Sequence, residues 1–225
     1  MQSQPIASQN LIPSLDSDYW QNLWVAQRTQ WDIGYASPAI IDFMAQYPDK
    51  HASVLIPGCG NAYEAQALLD MGYTSLTLLD IAPKAIEILQ NRFQDQKGIK
   101  ILCEDYFTHI GKYDVIIEQT FFCAINPDRR NEYVHKASSL LHPEGRIIGV
   151  LFDRFFEAPG PPFGGSTASY KKLFEPEFII HRMDSCYNSI PPRKDTEVFI
   201  HLIRKPKETP MLTALHDVHY EKIYH

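Results

Sequence analysis

Apolar residues fall in short unbroken runs, separated by stretches with helical spacing. The runs are SVLIP (residues 53–57), TSLTLLD ending at Asp80, IKILC, YDVIIE (residues 113–118) and RIIGVLF. Between them lie AYEAQALLDMG, closed by Gly72, then APKAIEILQNRFQDQ and RRNEYVHKASSLL, each amphipathic. Strands that are apolar throughout, alternating with helices, predict a parallel sheet covered on both faces. Upstream, SPAIIDFMAQY reads as a helix with Ser37 as its cap and Pro38 at its first position. Downstream of Phe152 the alternation stops. DRFFEAPGPPFGGST is rich in proline and glycine and reads as a loop of functional length. FIIHRMD and EVFIHLIR follow as two antiparallel neighbours. The pattern contains no domain boundary: 1–225 reads as one domain, with a loose leader over 1–18 and a polar tail over 206–225.

The first strand–helix junction carries the first chemical signal. SVLIP-GCGN-AYEA is strand, glycine turn, helix. Gly58 and Gly60 let the backbone approach a ligand, and the helix offers free N–H groups behind them. Asp80 ends the second strand, where a carboxylate suits the ribose hydroxyls of a nucleoside cofactor. The third strand ends in CEDYF, with Asp105 placed for an adenine amino group and Tyr106 for its ring. Three strand ends thus converge at the carboxyl edge, where doubly wound sheets bind ligands. The dinucleotide fingerprint wants a third glycine where Tyr63 sits, and Glu64 opens the helix with a negative charge. Both disfavour a diphosphate, and no Tyr-x-x-x-Lys pair is present. S-adenosylmethionine has no phosphate and carries a sulfonium cation, which acidic surroundings suit.

Composition narrows the field further. The 225 residues are 44% hydrophobic and 21% charged, a globular balance, with net charge −6. An acidic chain lacks the basic footprint of a dedicated nucleic-acid binder. A base-amine methyltransferase would place an Asn/Asp-Pro-Pro-Tyr/Phe motif after the fourth strand, where this chain reads EQTFF. No apolar run is long enough to span a membrane, and the N-terminus lacks a signal-peptide pattern. Cys59, Cys103, Cys123 and Cys186 are scattered, which fits reduced thiols in a cytoplasm. The histidines show no metal-ligand spacing, so no metal is expected.

PGCGNAYEA, LLDIAPKAIE, YDVIIEQTFFCAINPDRR, GPPF and PPRKDTE, preceded by YWQNLWVAQRTQWDIG, together resemble the thiopurine S-methyltransferase superfamily. The likeness is strongest to the branch of plant halide/thiol methyltransferases and their bacterial relatives, and covers roughly residues 19–205. It implies an α/β class I methyltransferase (Rossmann-like) fold, with a seven-stranded mostly parallel sheet whose last strand is antiparallel. S-adenosylmethionine is then the methyl donor and S-adenosylhomocysteine the product. The resemblance carries Trp20, Trp24 and Trp31, within a segment over 19–36, onto tryptophans that cover the cofactor. It carries Gly58 onto a backbone contact, Asp80 onto the ribose acid, Asp105 and Tyr106 onto the adenine pair, and Glu118 and Gln119 onto positions near the methionine moiety. Phe121, the Gly160–Phe163 loop and Arg193 fall on the acceptor side. Phe163 replaces a tyrosine of the plant enzymes, and Gln119 replaces an arginine of the thiopurine enzymes.

The implied activity is methyl transfer to a small soft nucleophile: a thiol, hydrosulfide, thiocyanate or halide. The alternatives are an aromatic thiol of the thiopurine type, a non-catalytic S-adenosylmethionine-binding module, and a nicotinamide oxidoreductase. The expected partner is a small-molecule acceptor, with no nucleic acid and no membrane, and the chain is expected to be a monomer or weak oligomer.

Overall fold

A computed structural model describes residues 13–206, so most of the expected leader and nearly all of the tail lie outside the described residues. Seven strands form one sheet: β1 (Val54–Pro57), β2 (Leu76–Asp80), β3 (Ile99–Cys103), β4 (Tyr113–Gln119), β5 (Leu141–Phe152), β6 (Phe178–Ser185) and β7 (Glu197–Arg204). Their order is β3-β2-β1-β4-β5-β7-β6. All pairings are parallel except those of β7, which runs antiparallel to both β5 and β6. The expected class I methyltransferase topology is the one observed.

Among the described residues six α-helices accompany the sheet: α1 (Ser17–Val25), α2 (Pro38–Gln46), α3 (Tyr63–Asp70), α4 (Pro83–Arg92), α5 (Arg130–Leu140) and α6 (Thr167–Phe174). Two apolar clusters mark the two faces. Ile40, Met44, Leu68 and Leu89 of α2–α4 pack with Val54, Ile56, Val115 and Ile148. Tyr133, Ala137 and Leu140 of α5 and Phe174 of α6 pack with Leu55, Ile116, Ile147 and Ile200. Strands β1, β2 and β4 feed residues to both clusters, which is why β1 and β2 are buried along their whole length.

The expected close of α3 at Gly72 is met, and other local expectations change. Helix α3 ends at Asp70, and Gly72 sits two residues on at φ +88°, where a left-handed turn closes the helix. Ser37 precedes α2 but its hydroxyl caps nothing; its N–H donates to Glu64 at 2.9 Å. Helix α6 follows the long loop and was absent from the sequence reading. A reciprocal Ser166–Ser169 capping box starts it. The leader is also shorter than expected, since α1 begins at Ser17, capped by Asp16.

Candidate active site

The strand order reverses between β1 and β4, and a cavity of about 900 Å³ opens there along the carboxyl edge. It extends from the ends of β2 and β3 to the ends of β5 and the loop before β7. Gly58, Gly60, Asp80, Asp105, Tyr106, Phe121 and Arg193 all line it, as do Trp20, Trp24 and Trp31.

Gly58 and Gly60 have φ of +55° and +51°, conformations that L side chains rarely adopt. At Gly58 space is a second constraint: a Cβ would stand 2.3 Å from Phe121 Cδ2. Asp80 is buried, and Oδ2 accepts the Gly60 N–H at 3.0 Å while Oδ1 accepts the Ala82 N–H at 2.9 Å. Burial pushes its carboxyl above the usual range, and these backbone donors partly oppose that. Each carboxylate oxygen has a second lone pair for a ligand. Asp105 Oδ1 accepts the Phe107 N–H at 2.9 Å. Tyr106 is almost wholly buried, stacked on Tyr133 and edge-on to Phe121, so it offers the cavity only a margin of its ring.

Helix α1 covers the cavity. Trp24 packs on Ala82 and Ala85, with Trp20 and Trp31 against the same group. The three indoles meet edge to face, Trp31 lying 5.5 Å from Trp20 and 6.0 Å from Trp24. Gln21 Oε1 accepts the Lys84 N–H at 2.7 Å, supplying the side-chain cap that α4 lacks. At the other end, Arg193 Nη2 donates to the Trp31 carbonyl at 3.2 Å and Nη1 reaches Glu197 at 3.4 Å. The cover is thus tied both to α4 and to the late loop.

Three sequence-predicted residues do not line this cavity. Glu118 is turned towards α5. Its Oε1 accepts the N–H groups of Phe121 and Phe122, and its Oε2 accepts the Tyr133 hydroxyl. Burial raises its carboxyl to about 7. Gln119 also lies off the cavity wall, with its Oε1 buried and without a hydrogen-bond partner among the described residues. Phe163 is an anchor rather than a wall: its N–H donates to the Cys123 carbonyl at 2.7 Å, and Arg130 holds its carbonyl at 3.1 Å. The neighbouring Pro161 and Pro162 face the cavity instead. Glu64 does stand in the first turn of α3, but it is buried, and its Oε1 accepts the Ser37 N–H at 2.9 Å.

Residues missed in the sequence include Phe152 and Arg154, beside Phe156 at the far end of the cavity, and Cys123. The aromatic run FDRFF over 152–156 was the available signal for the first two. The Arg154 guanidinium lies 4.8 Å from the Phe156 ring centroid, and that of Arg193 lies 5.2 Å from Phe152. Cys123 is a buried thiol pushed up to about 12, first by burial and then by the charge of Glu118. It is no nucleophile at neutral pH. No helix among the described residues is long and apolar enough to cross a membrane.

The sequence profile of the thiopurine S-methyltransferase family matches residues 15–205. A probable thiol methyltransferase 2 of Arabidopsis thaliana is 31% identical over 74% of this chain and 75% of its own length. A thiopurine S-methyltransferase of Nitrosospira multiformis is 26% identical over 71% of this chain and 81% of its own. Among solved structures, the Burkholderia thailandensis 1,6-didemethyltoxoflavin-N1-methyltransferase with bound S-adenosylhomocysteine superposes with a TM-score of 0.72. That match is 15% identical and covers 90% of this chain and 94% of the other. The magnesium protoporphyrin IX methyltransferase of Synechocystis, with bound S-adenosylmethionine, gives 0.65 at 15% identity, over 88% and 100%.

Proposed function

Because the chain belongs to the thiopurine S-methyltransferase family, and so is an S-adenosylmethionine-dependent methyltransferase, we propose that its acceptor is a small soft nucleophile. Thiolate, hydrosulfide, thiocyanate and halide are the members of that class. The observation that carries this reading is the make-up of the far end of the cavity. Phe152, Phe156, Pro161 and Pro162 give it apolar walls, and Arg154 and Arg193 give it positive charge. The names of the Arabidopsis and Nitrosospira relatives point the same way.

The residues fit the donor. Asp80 presents a carboxylate with free lone pairs for ribose hydroxyls, Gly58 and Gly60 clear the backbone around it, and Asp105 stands at the adjacent strand end for an adenine amino group. When bound, S-adenosylmethionine supplies a methyl group activated by a sulfonium. The chain's own task is to bind, orient and dry. The three indoles and α1 exclude water from one side of the cavity, and the proline-rich loop does so from the other. Apolar walls strip water from an anionic acceptor, which removes the solvation that opposes its attack. The guanidiniums of Arg154 and Arg193 attract and orient that anion. Fixing two reactants in line supplies up to about 7–11 kcal/mol in favourable cases. An acceptor that is already anionic needs no general base.

The reading extends to a small-molecule acceptor without nucleic acid, a chain that is monomeric or weakly associated, and a reducing, cytoplasmic setting for the four free cysteines. The test is a methylation screen over iodide, thiocyanate, hydrosulfide, small thiols and thiopurines, with amines and carboxylates as controls. Turnover of the soft anions supports the proposal. Methylation of an amine or carboxylate alone refutes it, and binding of S-adenosylhomocysteine without any turnover favours a non-catalytic module.

A further inference from the structure

The turn after β4 is held in an unusual way. Thr120, a β-branched residue, sits in the left-handed region at φ +58°. Such a residue stays there only when its surroundings fix it. The fixing group is Glu118. One oxygen, Oε1, accepts two successive backbone N–H groups, Phe121 at 2.9 Å and Phe122 at 2.8 Å. The other oxygen accepts the Tyr133 hydroxyl of α5 at 2.8 Å. The carboxylate is 1% exposed and forms no ion pair among the described residues.

Two walls of the cavity hang from this turn. Phe121 lies so close against Gly58 that no Cβ fits between them. The Cys123 carbonyl, two residues on, receives the Phe163 N–H and so fixes the loop that brings Pro161 and Pro162 to the cavity. We propose that Glu118 is a positioning residue for methyl transfer: through the Phe121 and Phe122 amides it sets the wall at Phe121, which the structure packs against Gly58 rather than on the acceptor side alone, and the acceptor-side loop beyond Cys123. It touches neither ligand. The titratable groups that face it are Tyr133, Tyr106 and Cys123, with Tyr170 and Glu197 across a small shared cavity; burial raises all five, and Glu197 is paired with Arg193. The position therefore demands reach and an acceptor oxygen, not charge balance. The inference rests on the cavity being the S-adenosylmethionine site.

Two conservative variants separate reach from charge. E118Q keeps a carbonyl oxygen at the position of Oε1 and loses the charge. E118D keeps the charge and withdraws the oxygen by one methylene. Calorimetry with S-adenosylhomocysteine should give E118Q an affinity within threefold of wild type and E118D an affinity at least tenfold weaker. In an F121A background the E118D effect on that affinity should shrink to less than twofold, because the wall it positions is gone. With iodide as acceptor, E118D should lower kcat more than E118Q does. The proposal is overturned if E118D binds like wild type, if E118Q is as impaired as E118D, or if the E118D effect is undiminished without the Phe121 ring. Wild-type protein that does not bind S-adenosylhomocysteine overturns this inference and the donor site together, whereas wild-type binding with an unimpaired E118D overturns this inference alone.

Discussion

Asp80→Asn perturbs the proposed donor site at one atom. In the wild type, both carboxylate oxygens accept a backbone N–H, from Gly60 at 3.0 Å and from Ala82 at 2.9 Å. Asparagine offers one oxygen and one NH2, so one of those N–H groups must face another donor. An orphaned buried N–H costs about 1–3 kcal/mol. Against that, the substitution removes a buried charge whose desolvation raises the Asp80 carboxyl. The two effects oppose each other in the free protein, so its melting temperature should move by only a few degrees. Binding has no such offset. One ribose hydroxyl loses a charged acceptor, worth about 1.5–3 kcal/mol, which converts to a Kd increase of roughly 10- to 150-fold. Titration calorimetry with S-adenosylhomocysteine measures it directly. The rise in melting temperature with saturating ligand should largely disappear as well. A Kd within twofold of wild type in a folded Asp80→Asn protein would remove Asp80 from the donor site.

Gly58→Ala places a Cβ against Phe121 at a φ of +55°, so it should destabilise the chain by about 1–3 kcal/mol and weaken S-adenosylhomocysteine binding; unchanged thermal melting and affinity would refute the close contact. All three tryptophans line the cavity, so S-adenosylhomocysteine should change indole emission and protect the 17–36 segment from protease, and an unaltered spectrum and cleavage rate would count against a cover. Arg193→Ala breaks both the Trp31 link and the pairing of buried Glu197, so it should weaken the donor as well as raise the acceptor KM; a change in acceptor KM alone would show that the link to the cover is idle. Glu118 has its folded carboxyl raised from 4.5 to about 7, so the folded state holds a proton that the unfolded state has lost between those pH values. Stability falls as pH rises through that window, by up to about 3 kcal/mol. E118Q should lack this component, so its stability relative to wild type should improve from pH 4.5 to 8; a pH-independent difference in denaturant melts would refute the shift.

The middle of the sheet was legible because β1, β2 and β4 and the second half of β5 are buried on both faces, so each appears as an apolar run. The strand ends were legible for a related reason. A parallel sheet brings every strand's carboxyl end to one edge, so Gly58, Asp80 and Asp105 could be placed together without knowing a single contact. Legibility stopped where a side chain's direction depends on a turn. Glu118 was placed at the right strand end and given the wrong neighbour, because the bonds that turn it towards α5 come from Tyr133 and two amides of a left-handed turn. Phe163 was named for its motif, but the motif presents its prolines, and the phenylalanine backbone is held by Cys123 and Arg130. Helix α6 was missed because its start signal is a pair of serines rather than an acid, inside a stretch that proline and glycine mark as loop.

Tyr63 shows how a departure from a familiar fingerprint gains a purpose. As a missing glycine it argued only against a pyrophosphate. In the structure its hydroxyl donates to Asp32 Oδ2 at 3.2 Å, and the Asn61 amide donates to the same oxygen. Asp32 lies directly after Trp31, and its Oδ1 accepts the Gly34 N–H at 2.8 Å, which closes the chain on itself there. The glycine turn and the first turn of α3 therefore hold the segment after Trp31 through Asn61 and Tyr63, and Tyr63 is a side chain that a dinucleotide site would omit. A glycine at position 63 would free space beside the backbone and release one end of the cover. At this position one side chain both departs from the dinucleotide fingerprint and ties the segment after Trp31 to α3.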